Sequence, residues 1–245
     1  MKLRKEYFFC VAVTGAPLKS ADDWLKYMED QIRGDMSKAE LTMSIKTEKW
    51  ERVLEIRTDA RGKTEALTFI DAPAKEKGTG TLRLDNKMWN YFPKVKRTVS
   101  VSPSMLLTSW MGSDFTNDDL LKASSMHADY DHAFKPDETV DGVTYRVIDN
   151  TAKSDAKVVW PRIETLADKK DCLPRFHRYY DKKGELIRTL ALSEIKTFDG
   201  HKVPARWEMI PHKDPGRKTV MTYKKLEFNV KFKDTHFTLK NLTGQ

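Results

Sequence analysis

The sequence predicts a mainly β (α+β) protein built as one domain on a long, strongly curved antiparallel sheet with a few helices. Three observations support this fold class. From Glu40 onward, apolar and polar residues alternate with a period of two through many short segments. Brief turns rich in Gly, Asp, Asn and Pro separate these segments, and they are too short for the crossovers that parallel strands require. No linker, low-complexity tract or tandem repeat divides the 245 residues.

The first element is predicted to be an amphipathic helix. Ser20 and Asp23 have the spacing of a capping box, and acidic residues in the first turn suit the positive end of a helix dipole. Gly34 supplies a stop signal. The predicted core face carries Trp24, Leu25, Met28 and Ile32.

The residues before this helix have the layout of a secretory signal. A basic start is followed by a short apolar run at 7–13 and by small residues at 14–16, although Glu6 and Pro17 are atypical. We therefore predict a leader or disordered segment over 1–21 and a single domain over 22–245. The chain has two cysteines, Cys10 and Cys172, which can form one bridge only if Cys10 is retained.

The strands fall into two groups around a short interruption. The first group contains the segments ELTMSIK, WERVLEIRT, ALTFI, GTLRL, KMWNYF and RTVSV; the second contains MHADYDHAF, TYRVIDNT, RIETLAD, FHRYYD, IRTLALSEI, ARWEMIP and TVMTYKKLEFN. Between them, Ser102 and Pro103 predict the start of a short helix around residues 105–111. Thr116 and Asp119 form a second capping box that opens a helix over 117–123.

Composition and charge limit the classes of partner. The formal net charge is +8 and the isoelectric point is near 9.2, which favours acidic partners or a solvated basic surface. The 44 Lys and Arg residues are interleaved with 36 Asp and Glu residues, and no basic block or nucleic-acid signature is present. We therefore expect no nucleic-acid partner.

Motifs for catalysis are missing from the sequence. There is no G-x-S-x-G nucleophile elbow, and the glycines of GTGTL lack the lysine and spacing of a phosphate loop. In HADYDH, a strand would place His127, Asp129 and Asp131 on one face and His132 on the other, a candidate metal site. An exposed polar strand face is the simpler interpretation. The expectation is a protein that is not an enzyme, with no cofactor and no metal.

An unusual concentration of aromatic and methionine residues lies near the middle of the chain. On one strand, Trp89 and Tyr91 point to one face while Met88 and Phe92 point to the other, so both faces must be covered. The segment 105–111 is a candidate cover, and its Met and Leu side chains are pliable. A curved sheet with such a cover can enclose an apolar cavity.

Long blocks of the sequence resemble one family. TFIDAPAKEKGTGTLRLDNKMWNYFPKVKR followed by VSPSMLLTSWMGSDFTNDDLLK, together with GDMSKAELTMSI, DKKGELIRTLALSEI and VPARWEMIPHKDPGRKTVMTY, is similar to outer-membrane lipoprotein-sorting proteins of the LolA-like superfamily. The resemblance runs from about Ala21 to the C-terminus and is to the branch found beside resistance-nodulation-division type transporters. It implies an incomplete, half-open β-barrel closed by helices, a cavity for acyl chains, and export to the periplasm.

The resemblance also implies site residues. Met105, Leu106, Trp110 and Met111 would form a lid over the cavity, and a strand arginine, Arg97 or Arg52, would help to hold it shut. The predicted lipid-binding residues are Trp89, Tyr91, Met105, Leu106, Trp110, Met111, Phe115 and Arg97.

Three functional hypotheses remain open at the level of the sequence. The first is a monomeric periplasmic carrier of a lipoprotein acyl chain or a free lipid, acting in lipoprotein sorting or lipid transport to the outer membrane. The second is a non-catalytic adaptor of a resistance-nodulation-division type inner-membrane transporter. The third is a metal-dependent hydrolase that uses the HADYDH cluster.

Overall fold

The computed structural model describes residues 18–122, 126–156 and 158–244, and within these ranges thirteen strands form one antiparallel sheet. The strands are β1 (Met36–Lys46), β2 (Glu51–Arg61), β3 (Glu65–Ala72), β4 (Gly80–Leu84), β5 (Lys87–Phe92), β6 (Arg97–Ser100), β7 (Tyr130–Val140), β8 (Val143–Ala152), β9 (Arg162–Asp168), β10 (Pro174–Tyr180), β11 (Leu186–Phe198), β12 (His201–Pro211) and β13 (Lys218–Phe228). Their order across the sheet is β6-β5-β4-β3-β2-β1-β13-β12-β11-β10-β9-β8-β7. The predicted mainly β fold with a curved antiparallel sheet is confirmed.

Four α-helices accompany the sheet in the described ranges: α1 (Ala21–Arg33), α2 (Asn117–Lys122), α3 (Met126–Asp129) and α4 (Leu239–Thr243). The capping box of α1 is confirmed, since Asp23 N donates to Ser20 Oγ over 3.1 Å and Ser20 N donates to the Asp23 carboxylate over 2.9 Å. At Gly34 the backbone turns with a φ of 58°, and a Cβ there would lie 2.7 Å from the ring of Phe228. Glycine therefore permits the sharp turn from α1 into β1.

The segment before α2 differs from the prediction of a helix around 105–111. Two short 3₁₀ turns, Pro103–Met105 and Trp110–Gly112, replace it. The carbonyl of Leu106 accepts a hydrogen bond from Asp118 N over 3.0 Å. This carbonyl therefore bonds to the first turn of α2 and not to an amide within a helix over 105–111. Met111 adopts a left-handed φ of 52°, which an α-helix excludes.

A second difference concerns HADYDH. Its first three residues, together with Met126, are predicted to lie in a strand, but residues 126–129 form α3 and the strand begins at Tyr130. The side chain of Glu29 on α1 accepts from His127 N over 3.2 Å, which satisfies a backbone donor at the start of this helix. Contact with α1 therefore favours the helical turn.

The two faces of the sheet are covered by different helices. On one face, α1 packs Trp24, Leu25 and Met28 against Ile148 and Ala167 in a buried cluster. Cys172 is buried in the same cluster, while Cys10 and the predicted leader lie outside the described residues, as does Ala123 of the predicted second helix.

On the opposite face, the C-terminal segment packs Phe237 and Leu242 against Leu67 and Leu82. A Cβ at Gly80 would come within 2.7 Å of Leu242 Cδ1, so the close approach of α4 to β4 requires glycine there.

Candidate functional site

A cavity of about 370 Å³ lies between the sheet, α1 and α2. On β1, β2 and β3 its wall consists of small side chains at alternating positions, which leave the space that larger residues would fill. Ala60 and Ala66 face each other directly across β2 and β3. The small residues of this wall are Ser37, Ala39, Thr58, Ala60, Ala66 and Thr68.

The remaining walls are mainly apolar, although Glu29, Arg83, Asp118 and Asp119 also line the cavity. Leu25, Met28 and Ile32 of α1 line one side of the cavity. Strands β11 to β13 contribute large side chains opposite to them, namely Leu190, Trp207, Met209, Met221, Tyr223 and Leu226. Unbranched methionine side chains adapt their shape to irregular ligands. The lining therefore suits a hydrocarbon more than a rigid polar molecule.

Beyond the cavity, the same face of the sheet is covered by a buried cluster of large side chains. Here the inward residues are large, and Trp110 packs against them together with Ile70 in a cluster that also contains Leu41, Met43, Ile45, Leu54 and Ile56. The indole Nε1 of Trp110 donates to Thr81 Oγ1 over 3.0 Å, and Thr81 itself lines the cavity. Trp110 thus separates the cavity from this packed region.

Arginines from four strands or loops hold the segment 111–121 in place. Arg52 donates to the carbonyl oxygen of Met111, and Arg83 donates to the carbonyls of Leu120 and Leu121 over 3.2 and 3.3 Å. Leu120 and Leu121 lie in the last turn of α2, where backbone carbonyls lack a partner within the helix, and Arg83 supplies one. We call residues 102–122 the lid, and these contacts fix its central and C-terminal parts.

Arg188 on β11 makes the most extensive contact with the lid. Its guanidinium forms a bidentate ion pair with Asp119 and donates to the carbonyl of Asp114 over 3.2 Å. It also lies 4.4 Å from the ring centroids of both Trp160 and Tyr179. Burial alone would lower the pKa of Arg188, but the attraction of Asp119 outweighs it and raises the pKa above its ordinary value. The arginine is therefore charged, and the pair is a buried salt bridge.

Arg217 adds a second ion pair in the middle of the lid. Its Nε donates to the carboxylate of Asp114, whose other oxygen accepts from Thr219 Oγ1 over 2.7 Å. Asp114 N donates in turn to Thr219 Oγ1 over 2.9 Å. The lid is thus fixed to β13 as well as to β11.

Three titratable side chains of the cavity lining, His177, Tyr130 and Tyr179, are held neutral. His177 lines the cavity on β10, and desolvation by the surrounding protein lowers its pKa to about 4. Its Nδ1 lies 3.0 Å from Thr165 Oγ1, which also accepts from Asn150 Nδ2 over 3.1 Å. Burial likewise raises the pKa of Tyr130 and Tyr179. At neutral pH these three lining side chains carry no charge.

Of the eight predicted lipid-binding residues, Phe115 lines this cavity and Trp110 lies beside it. Met111 lines a separate recess together with Arg52. Met105 and Leu106 are half-buried, and their carbonyls accept hydrogen bonds from Asn117 Nδ2 and Asp118 N.

The other three predicted residues lie away from the cavity. Trp89 and Tyr91 pack on the opposite face against the cluster of Phe237 and Leu242, and Arg97 is exposed on the edge strand β6. Arg52, the alternative to Arg97, does contact the lid. Neither the small residues of the cavity wall nor Arg188 is among the residues predicted from the sequence. The alternating Ala and Thr residues in the strands of the first group are a signal that could have indicated the wall.

The two histidine rings of HADYDH lie 6.1 Å apart, but they contact different partners. His127 pairs with Asp22 over 2.9 Å, and His132 Nδ1 lies 2.9 Å from Asn150 Oδ1. Across residues 18–122, 126–156 and 158–244, no group of three or more His, Cys, Asp or Glu side chains is placed to hold a metal ion. In the same ranges, no helix is long and apolar enough to cross a membrane.

The curved, open antiparallel sheet with a few helices is a LolA-like fold. A family model described as "Uncharacterized protein" matches residues 62–244. The chain belongs to this family, and its fold is LolA-like.

Solved structures show the same fold. A DUF1329 family protein from Desulfovibrio piger is 26% identical, with a TM-score of 0.84 over 92% of this chain and 99% of that one. A putative outer membrane lipoprotein-sorting protein domain from Vibrio parahaemolyticus is 22% identical, with a TM-score of 0.80 over 91% and 98%. A LolA superfamily protein from Nitrosomonas europaea is 20% identical, with a TM-score of 0.77 over 91% and 99%. The search of curated proteins found no match.

Proposed function

We propose that the protein is a non-catalytic carrier that binds an acyl chain, from a lipoprotein or a free lipid, in the cavity between the sheet, α1 and α2. The observation that carries this proposal is the cavity of about 370 Å³ with its apolar lining. Its volume lies in the range of small-molecule sites, roughly 300–1,000 Å³. The fold similarity to a putative outer membrane lipoprotein-sorting protein domain supports the same class of ligand.

The energetics favour a hydrocarbon. Each buried methylene contributes about 0.8 kcal/mol, so ten methylenes contribute about 8 kcal/mol before the costs of association are subtracted. His177, Tyr130 and Tyr179 are neutral, so these three lining groups place no buried charge next to the chain. A fatty acyl chain therefore gains enough free energy to remain bound without a covalent step.

Release of the ligand requires movement of the lid. Arg188 and Arg217 hold residues 114–119 by ion pairs, and these contacts must break or shift for Phe115 to leave the cavity wall. Such a gate matches the task of a carrier, which must retain its cargo in transit and give it up at a receptor. We place this exchange in the periplasm, where an exported protein of this family would sort lipoproteins or move lipids to the outer membrane.

Uptake of a fluorescent fatty acid tests the proposal. Ala60→Leu combined with Ala66→Leu fills the cavity from two facing strands, and we expect at least a tenfold loss of affinity with the fold retained. Ala191→Leu is the matched control, because Ala191 lies on β11 outside the cavity lining. Equal uptake by the double variant and the control contradicts the proposal.

A further inference from the structure

Three loops project from the end of the sheet that is opposite to the small residues of the cavity wall. Lys46 pairs with Glu51 and Glu55 pairs with Ala72, so the turn between β1 and β2 and the loop after β3 project from the same end. The loop between β5 and β6 projects there too, because Gly80 at the start of β4 pairs with the end of β5. We call these three loops the end patch: residues 47–50, 73–78 and 92–97.

Large apolar side chains of the end patch face solvent. Trp50 is 48% exposed, Phe92 is 38% exposed and Val95 is 63% exposed. A recess of about 420 Å³ runs between the second and third loops, and Phe92, Pro93 and Val95 line it. Leaving such side chains in water is unfavourable, and grouped exposed apolar residues mark interaction sites.

Cations surround these apolar side chains. The end patch contains six Lys or Arg residues and two Glu residues, and one of the latter, Glu76, is paired with Arg52. None of the five exposed lysines Lys49, Lys75, Lys77, Lys94 and Lys96 forms an ion pair within the part of the chain that the structure describes. Their charges are therefore available to an external anion.

We propose that the end patch docks on the surface of an anionic phospholipid bilayer, with Trp50, Phe92 and Val95 entering the interface and the lysines contacting lipid phosphates. Apolar side chains interleaved with lysines are typical of segments that lie in a membrane interface, and tryptophan favours headgroup depth. A protein partner fits less well, since lysine is depleted from protein interfaces. This inference does not depend on what the cavity binds.

The end patch adjoins the lid. Met111 and Gly112 form part of the same recess, and Arg52 in that recess donates to the carbonyl oxygen of Met111. The neighbouring Trp110 packs between the recess and the cavity and reaches Thr81 in the cavity wall. A bilayer docked on the end patch would therefore face the lid at Met111 and Gly112.

Vesicle flotation tests the docking. We expect the wild-type chain to bind vesicles of phosphatidylcholine with 30% phosphatidylglycerol and to bind phosphatidylcholine alone only weakly, with binding that falls as salt rises. The variant Lys94→Gln with Lys96→Gln should bind the anionic vesicles about 30-fold more weakly. Val95→Ser should weaken binding by about tenfold.

The matched control changes two exposed lysines at the opposite end, Lys202→Gln with Lys231→Gln, and should bind like the wild type. The cavity variant Ala60→Leu with Ala66→Leu should also still float, so a failure of the cavity proposal is distinguishable from a failure of this one. Equal binding by the end-patch and control variants overturns the inference. A wild-type chain that binds no vesicles, but that a membrane protein in detergent captures only when Lys94 and Lys96 are present, would identify the end patch as a protein interface. That result would show the inference to be wrong.

Discussion

Replacing Arg188 with methionine tests whether the buried ion pair holds the lid. Arg188 is 4% exposed, and methionine fills a similar volume without the charge. Removing one partner of a buried pair costs about 3–5 kcal/mol, because Asp119 is left without its countercharge. Asp119 keeps the hydrogen bonds from Thr116 N and Thr116 Oγ1, at 2.7 and 2.9 Å, and neither donor carries a charge. We therefore expect a loss of about 3–5 kcal/mol in the free energy of unfolding.

Two measurements follow this change. Urea unfolding gives the stability, and stopped-flow release of a fluorescent fatty acid gives the rate of lid opening, which should rise in the variant. The double variant Arg188→Met with Asp119→Leu should recover most of the stability, since an apolar pair of similar volume often replaces a buried ion pair at little cost.

The matched control is Arg57→Met. Arg57 pairs with Asp71 over 3.1 Å, and both side chains are nearly half exposed, so the pair should contribute no more than about 1 kcal/mol. The reasoning is refuted if Arg188→Met costs no more than the control, or if ligand release is unchanged in a destabilised Arg188 variant.

Two further predictions concern packing and pH. Gly80→Ala should lower the free energy of unfolding by about 1–3 kcal/mol, measured by urea titration. The new Cβ would lie 2.7 Å from Leu242 Cδ1 and 2.9 Å from the ring of Phe69. An unchanged free energy of unfolding would mean that α4 shifts freely and would contradict this prediction. Burial lowers the pKa of His177 to about 4 from an ordinary value near 6.5. Below pH 6.5 the unfolded chain therefore binds a proton that the folded chain does not bind, and the free energy of unfolding falls as the pH is lowered to about 4. Between pH 7.5 and pH 5 the wild type should lose about 2 kcal/mol more than His177→Gln, and parallel pH profiles would contradict this.

Much of the fold is predictable from local patterns. The alternation of apolar and polar residues places the strands, and Ser20 with Asp23 marks the start of α1 because both partners lie within one helical turn. The segment around Trp110 is different. Its conformation depends on hydrogen bonds from Asn117 and Asp118 to lid carbonyls, which local propensity does not encode.

The cavity is harder to predict than the strands around it. Trp89 and Tyr91 were expected to line it because they are aromatic, yet a cavity forms where side chains are small, as at Ala60 and Ala66. The lid contact of Arg188 joins residues 69 positions apart. Such a pair depends on the register of the whole sheet, so the sequence offers several arginines and no means to choose among them.

A crystal structure with a brominated fatty acid tests the central claim most directly. The account predicts anomalous bromine density inside the cavity, between the small side chains of β2 and β3 and the Met28 face of α1. Bromine density confined to the opposite face, or a cavity that stays empty while the protein binds the fatty acid in solution, would contradict it.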